Sequence, residues 1–216
     1  MSGKPKTIPF FENSPDNLHC LQSCVKSLLS LYFPDRVFDD NEIDEKTIQE
    51  GWWTWLPPAV VWLHELGLDV RLYSSFDYRR FSQEGESYMK EFKTEEMYLK
   101  EKQNGAYDNL PLVQLAYQKM MSCDLLEQSQ LSKENLEIEL ESEHTFAVGK
   151  TIHEWLDGRP GLSSHYVVVI KKYAPGVWRV HDPGLPGREN RKIPQSFNEY
   201  NIFGDVLLVK GVIEKA

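Results

Sequence analysis

The chain has 216 residues, a formal net charge of −9 and 41% hydrophobic residues, which is typical of one globular domain. The excess of acidic residues argues against nucleic acid or an anionic membrane as the partner. No stretch approaches the roughly 20 apolar residues of a membrane span, and the first residues lack the apolar core of a signal peptide, so we expect a cytoplasmic protein. Three cysteines favour free thiols over a disulfide framework. Their spacing does not favour a zinc site, and we expect no metal and no cofactor.

An apolar helix is predicted to begin at Cys20. Leu21, Val25 and Leu28 recur at helical spacing, and Pro34 ends the helix because proline cannot continue the backbone ladder. Cys20 therefore lies at or beside the helix N-terminus, where free N–H groups and the helix dipole favour an anion. A cysteine placed in this way can serve as a nucleophile.

Three tryptophans stand close together in segment 51–58, beside a glycine and two prolines. They either cover the core or form the wall of a substrate cleft, for which Trp53 and Trp55 are the candidates. The pattern then predicts a helix over 58–66 and a half-buried strand over 68–73.

Residues 75–143 are highly charged and predict at least three helical runs, packed as a layer on the same domain. The runs are a helix capped by Thr94, a helix over 110–121 and a helix that begins at Ser132. Leu112, Leu115 and Met120 share the apolar side of the second run. Cys123 follows it and is predicted to be a buried structural thiol.

The remaining third of the chain is predicted to be mostly β-structure. The predicted elements are strands over 145–149, 165–173, 177–181 and 205–213, with a short helix over 195–200. A turn at Ala174-Pro175-Gly176 makes the second and third strands a hairpin. Helices first and an antiparallel sheet second define an α+β class.

Two polar residues stand at the ends of that hairpin. His165 opens its first strand and Asp182 ends its second strand, so the two side chains are predicted to be neighbours although 17 positions apart. A carboxylate fixes the tautomer and orientation of an imidazole, whose other nitrogen can face a thiol. Together with Cys20 they form a predicted Cys–His–Asp triad of nucleophile, base and orienting carboxylate.

The same residues resemble a known family. Cys20-Leu-Gln-Ser-Cys24-Val-Lys-Ser-Leu is similar to the start of the C39-like cysteine peptidases, and His165-Tyr-Val-Val-Val with His181-Asp182-Pro183 resembles their histidine and aspartate strands. The resemblance implies a papain-like fold, with N-terminal helices packed on a C-terminal antiparallel sheet. It implies a single domain over 1–216 with a helical insert or layer at about 75–143, and catalytic roles for Cys20, His165 and Asp182. We expect a stand-alone member, without a transporter, that hydrolyses a peptide or amide bond in a peptide or protein substrate.

Two positions depart from the family pattern. Leu21 stands where the family has glycine, and Ser14 stands where it has the glutamine of the oxyanion hole. Asn13 is our candidate for the missing amide donor, with Asn17 as the second choice. Two alternatives stay open: a papain-like binding module that has lost turnover, and an acyltransferase or deamidase that uses the same thioester chemistry. The oligomeric state is also open.

Overall fold

A computed structural model describes residues 7–48, 54–161, 163–197 and 200–213 of the chain. The helices are α1 (Cys20–Tyr32), α2 (Asp40–Thr47), α3 (Leu56–Glu65), α4 (Tyr78–Glu84), α5 (Glu86–Phe92), α6 (Glu95–Gln103), α7 (Leu110–Ser122) and α8 (Lys133–Glu139), with a 3-10 turn at His153–Asp157. The strands are β1 (Leu68–Tyr73), β2 (Leu126–Glu127), β3 (Phe146–Ile152), β4 (Ser164–Ala174), β5 (Val177–Asp182), β6 (Arg188–Pro194), β7 (Ser196–Phe197), β8 (Tyr200–Asn201) and β9 (Val206–Val212). The molecule is therefore of the α+β class.

Seven of these strands form one mixed sheet in the order β2-β1-β9-β3-β4-β5-β6. All neighbouring pairs are antiparallel except β1 and β2, which run parallel. The sheet is thus not wholly C-terminal, because β1 and β2 come from the first 127 residues and extend it beyond β9.

Both faces of the sheet are covered, which explains the continuous β-branched run of β4. Tyr166 and Val168 contribute to one apolar cluster, whereas Val167 and Val169 contribute to the other, because successive side chains of a strand point to opposite faces. Helix α1 packs against β4 in the larger cluster.

Helix α1 has the predicted bounds and carries its apolar residues to the core. Leu21, Val25 and Leu28 are fully buried. This burial fixes the rotation of the helix about its axis, and hence the direction in which Cys20 leaves the first turn.

Two predictions for the helical layer between β1 and β3 are wrong. Leu112 and Leu115 are exposed, and the buried side of α7 carries Val113, Tyr117 and Met120 instead. Helix α7 packs on both α3 and α4, and these contacts select a different stripe from the one that the sequence spacing favoured. Cys123 is exposed and not a buried thiol, since it lies at the C-terminal cap of α7.

The predicted short helix over 195–200 is wrong. The described part of this segment contains β7 and β8, which pair as a small antiparallel ribbon through Phe197 and Tyr200. The backbone pairing of these two strands decides the structure of the segment. Within the described residues, no helix combines the length and apolarity needed to cross a membrane.

Candidate active site

Cys20 lines a cavity of about 370 Å³ at the N-terminal end of α1. His165 lines the same cavity, as do Asn17, His153 and Tyr166. We call this space the Cys20 cavity. The first turn of a helix leaves its N–H groups without helical acceptors, so the backbone beside Cys20 offers donors to a ligand.

His165 connects the thiol to a carboxylate. It is buried near the start of β4, and its Nε2 lies 2.7 Å from Oδ1 of Asp182. The prediction that these two hairpin-end side chains are neighbours is confirmed. Because Nε2 is committed to Asp182, Nδ1 is the nitrogen left to exchange a proton with Cys20, whose side chain interacts with the imidazole.

The surroundings of His165 favour its charged form. Burial acts to lower the pKa of its imidazole, but hydrogen bonds with Asp182 and Cys20, and their charges, outweigh burial and raise the pKa to about 9. At neutral pH the imidazole therefore carries a proton that it can give to a leaving group.

Asp182 is held as a carboxylate by three donors. Its Oδ1 accepts from His165 and from the backbone N–H of Gly184 at 3.0 Å, and its Oδ2 accepts from Arg191. Burial acts to raise the pKa of Asp182, but the hydrogen bond and charge of His165, with those further donors, keep the pKa well below its usual range.

Arg191 is a site residue that the sequence analysis missed. It lies in β6, and besides Asp182 it binds the backbone oxygen of Leu156 at 2.8 Å and the carboxylate of Asp157. This buried guanidinium connects Asp182 to the 3-10 turn. The sequence of β6 is polar except at its end and shows no alternation of apolar and polar residues, so no strand was predicted there and Arg191 had no assigned partner.

His153 is a second histidine of the site that was not predicted. Its ring centroid lies 4.8 Å from that of His165, and it lines the Cys20 cavity. Burial, followed by the charge of His165, lowers the pKa of His153, so its imidazole is neutral at neutral pH.

The described residues contain one group that could hold a metal ion. The donor atoms of His153, His165 and Asp182 lie within 4.8 Å of one another. However, the Asp182 oxygens already accept hydrogen bonds from His165, Gly184 and Arg191. A metal would have to displace those donors and compete with a protonated imidazole, so the chemistry of this group favours a hydrogen-bonded relay.

The two asparagines before α1 have different places. Asn13 is buried, and its Oδ1 accepts the backbone N–H groups of Ser14 and His19 while its Nδ2 donates to Oδ1 of Asn17 at 2.9 Å. Asn13 thus organises the loop. Asn17 lines the Cys20 cavity and adopts a left-handed backbone conformation with φ of 61°.

Ser14, at the position of the family's glutamine, has its hydroxyl 2.6 Å from Nδ1 of His19 and lines a different cavity.

Trp55, the tryptophan candidate that lies in the described part of the chain, does not line the Cys20 cavity. Trp53 lies outside the described part of the chain. Trp55 precedes α3, donates its Nε1–H to the backbone oxygen of Ala106 at 3.1 Å, and lines a neighbouring cavity.

Comparison of the sequence with protein-family models and with curated proteins found no match.

Proposed function

We propose that this protein is a cysteine-dependent hydrolase. The observation that carries the proposal is the position of His165, which interacts with Cys20 on one side and lies 2.7 Å from Asp182 on the other. Nucleophile, proton carrier and orienting carboxylate thus follow one another at the edge of a cavity. Its particular reaction is hydrolysis of a peptide or amide bond.

The chemistry divides into two steps. The Cys20 thiolate attacks the carbonyl carbon, and the protonated His165 gives its proton to the leaving amine as the C–N bond breaks and a thioester forms. A water molecule then adds to the thioester, His165 takes a proton from it, and the carboxylic acid leaves as Cys20 is released. Asp182 orients the imidazole in both steps, and Arg191 holds Asp182.

The oxyanion donors in this proposal are the backbone N–H of Cys20 and the side-chain amide of Asn17. Asn13 was the sequence-based candidate, and in the proposal it positions Asn17 instead, because its Nδ2 donates to Oδ1 of Asn17. That bond fixes the oxygen end of the Asn17 amide and directs the nitrogen end away from Asn13. Loss of one oxyanion donor typically reduces kcat by about 10²–10³.

A papain-like fold of the C39 type is the architecture that we propose for this site. Its support is a nucleophile at the start of a helix that packs on the sheet, with histidine and aspartate on two adjacent strands of that sheet. The sequence motifs around Cys20 and His165 support the same assignment.

The test is the rate of Cys20 alkylation by iodoacetamide as a function of pH. It is best made in a Cys123→Ser background, because Cys123 is exposed while Cys24 is buried and burial raises the pKa of its thiol. We expect rapid alkylation that persists at about pH 6 and is lost in His165→Ala, because an ion-paired thiolate reacts where a thiol does not. His144→Ala removes an exposed histidine and serves as the matched control.

Turnover is tested separately with a mixed peptide library analysed by mass spectrometry. We expect cleavage products from the parent and none from Cys20→Ala. Alkylation that follows an ordinary thiol, equal in the parent and His165→Ala, would refute the proposal. Rapid alkylation without cleavage would instead favour the binding module, and products joined to an added amine would favour acyl transfer.

A further inference from the structure

A second cavity of about 290 Å³ lies next to the Cys20 cavity. Thr54 and Tyr166 line both spaces. Tyr166 follows His165 directly along β4, so the second cavity begins one residue from the proposed general base. A chain bound at Cys20 can therefore place a neighbouring side chain in it.

Six aromatic residues line this second cavity, which we call the aromatic pocket. They are Trp55, Phe76, Tyr78, Phe92, Tyr117 and Tyr166. Several are fixed by one another: the ring centroids of Tyr78 and Tyr117 are 4.6 Å apart, and those of Phe76 and Tyr78 are 4.8 Å apart. Rigid aromatic walls favour the apolar stem of a ligand at a small cost in conformational entropy.

The polar lining of the pocket includes an ion pair between Lys150 and Asp205. Nζ of Lys150 lies 3.4 Å from Oδ2 of Asp205, and Oδ1 of Asp205 accepts the hydroxyl hydrogen of Ser74. Burial acts to lower the pKa of Lys150, but the Asp205 charge outweighs burial and raises it, so the ammonium stays protonated. An ammonium has three donors and can bind Asp205 and a ligand oxygen together.

The charges of the pocket discriminate between ligands. Two cationic residues, Lys93 and Lys150, and one carboxylate, Asp205, line the pocket. Both Asp205 oxygens already have partners, Lys150 for one and Ser74 for the other. Lys93 is paired with Glu101 and Lys150 with Asp205, but the ammonium of Lys150 has further donors, so a carboxylate would gain a charge-assisted hydrogen bond that a cationic group could not form.

We propose that the aromatic pocket is a specificity site for an acidic side chain of the substrate, with Lys150 as the residue that selects it. The inference rests on the proposed function, because it assumes that the substrate reacts at Cys20. Glutamate fits this pocket best among charged side chains, since its apolar stem can lie along the rings while its carboxylate reaches Lys150.

The test uses three dipeptidyl chloromethyl ketones that alkylate Cys20 and differ in the residue before a common glycine: glutamate, glutamine or lysine. In the Cys123→Ser background, we expect the glutamate reagent to react about tenfold faster than the glutamine reagent, as one charge-assisted hydrogen bond would give, and lysine to be slowest. Lys150→Met with Asp205→Asn removes both charges and should abolish the preference. Lys150→Arg keeps the cation and should retain it.

A matched control removes another lysine–carboxylate pair, between Lys210 of β9 and Glu139 of α8, by Lys210→Met with Glu139→Gln, and should leave the preference unchanged. Iodoacetamide, which has no side chain for the pocket, separates the two proposals. If iodoacetamide alkylates Cys20 equally fast in the parent and in His165→Ala, the proposed function fails. If its reaction depends on His165 but the three ketones react alike, or the double variant at Lys150 keeps the glutamate preference, the specificity site is overturned.

Discussion

Replacement of Asp182 by asparagine tests whether the carboxylate is what keeps His165 charged. The substitution keeps the size and one hydrogen-bond acceptor of the side chain but removes its charge. In the parent, the pKa of His165 is raised from 6.5 to about 9. At about 1.4 kcal/mol per pKa unit, that shift corresponds to roughly 3 kcal/mol in favour of the imidazolium in the folded protein.

We expect the pKa of His165 in Asp182→Asn to fall to about 6.5 or lower, because burial then acts with less opposition. The measurement is an NMR titration of the imidazole carbons in protein labelled at histidine, from about pH 5 to about pH 10. Iodoacetamide alkylation of Cys20 at about pH 7.5 should fall in parallel, since above a His165 pKa of about 6.5 most of the imidazolium that pairs with the thiolate is lost.

Asp157→Asn is the matched control for this experiment. Asp157 also accepts a hydrogen bond from Arg191, so the control removes one of the two carboxylates of the same guanidinium without touching His165. The His165 titration should remain near pH 9 in this variant. A titration near pH 9 in Asp182→Asn as well would refute the assignment of Asp182 as the group that holds the proton on His165.

Three further predictions concern stability, measured by urea unfolding. Leu28→Ala removes a fully buried side chain of α1 and should cost about 2–5 kcal/mol; a loss below 1 kcal/mol would contradict the packing of α1 on the sheet. Gly149→Ala would place a Cβ 2.5 Å from the ring of Phe203, which is fully buried, and should cost about 1–3 kcal/mol, whereas no loss would show that the ring can move. Folding lowers the pKa of Asp182 below its usual value of 3.8, so the charged carboxylate stabilises the parent above about pH 4 and this contribution is lost as the pH falls. Between about pH 5 and about pH 3, the free energy of unfolding should therefore fall less steeply in Asp182→Asn than in the parent.

The parts of the molecule that follow from local chemistry were predictable. The helix at Cys20 has an apolar stripe and a proline stop, and its observed bounds match the expected ones. The hairpin of β4 and β5 has a turn signal between two β-branched runs, so its end residues His165 and Asp182 could be placed beside each other. The catalytic roles of His165 and Asp182 stay predictions.

The parts that depend on tertiary contacts were not predictable. The spacing of α7 allowed more than one apolar stripe, and only its contacts with α3 and α4 decided that Val113 and Tyr117 face inward. The same limit applies to the proposed amide donor, because the choice between Asn13 and Asn17 depends on which of the two lines the Cys20 cavity.

Arg191 illustrates why a sequence pattern does not reveal every residue of a site. Val180 pairs with Arg191 across β5 and β6, so a regular antiparallel register would place Glu189 opposite Asp182. The register instead shifts by one residue, and Arg188 stands opposite Asp182. A carboxylate directly opposite another would be destabilising, and the shift places Arg188 there instead, whose guanidinium binds Asp157.

Asn190 lies within this irregular stretch of β6 and makes the shift possible at little cost. Its φ is 56°, a left-handed conformation that asparagine tolerates better than most residues, and its backbone N–H donates to Nδ1 of His181 at 3.1 Å. Arg191, which binds Asp182, pairs with Val180 on the regular side of this shift. His165 and Asp182 could be placed together from the sequence because a turn signal marks their hairpin, whereas Arg191 could not, because β6 has no alternation of apolar and polar residues that would predict a strand.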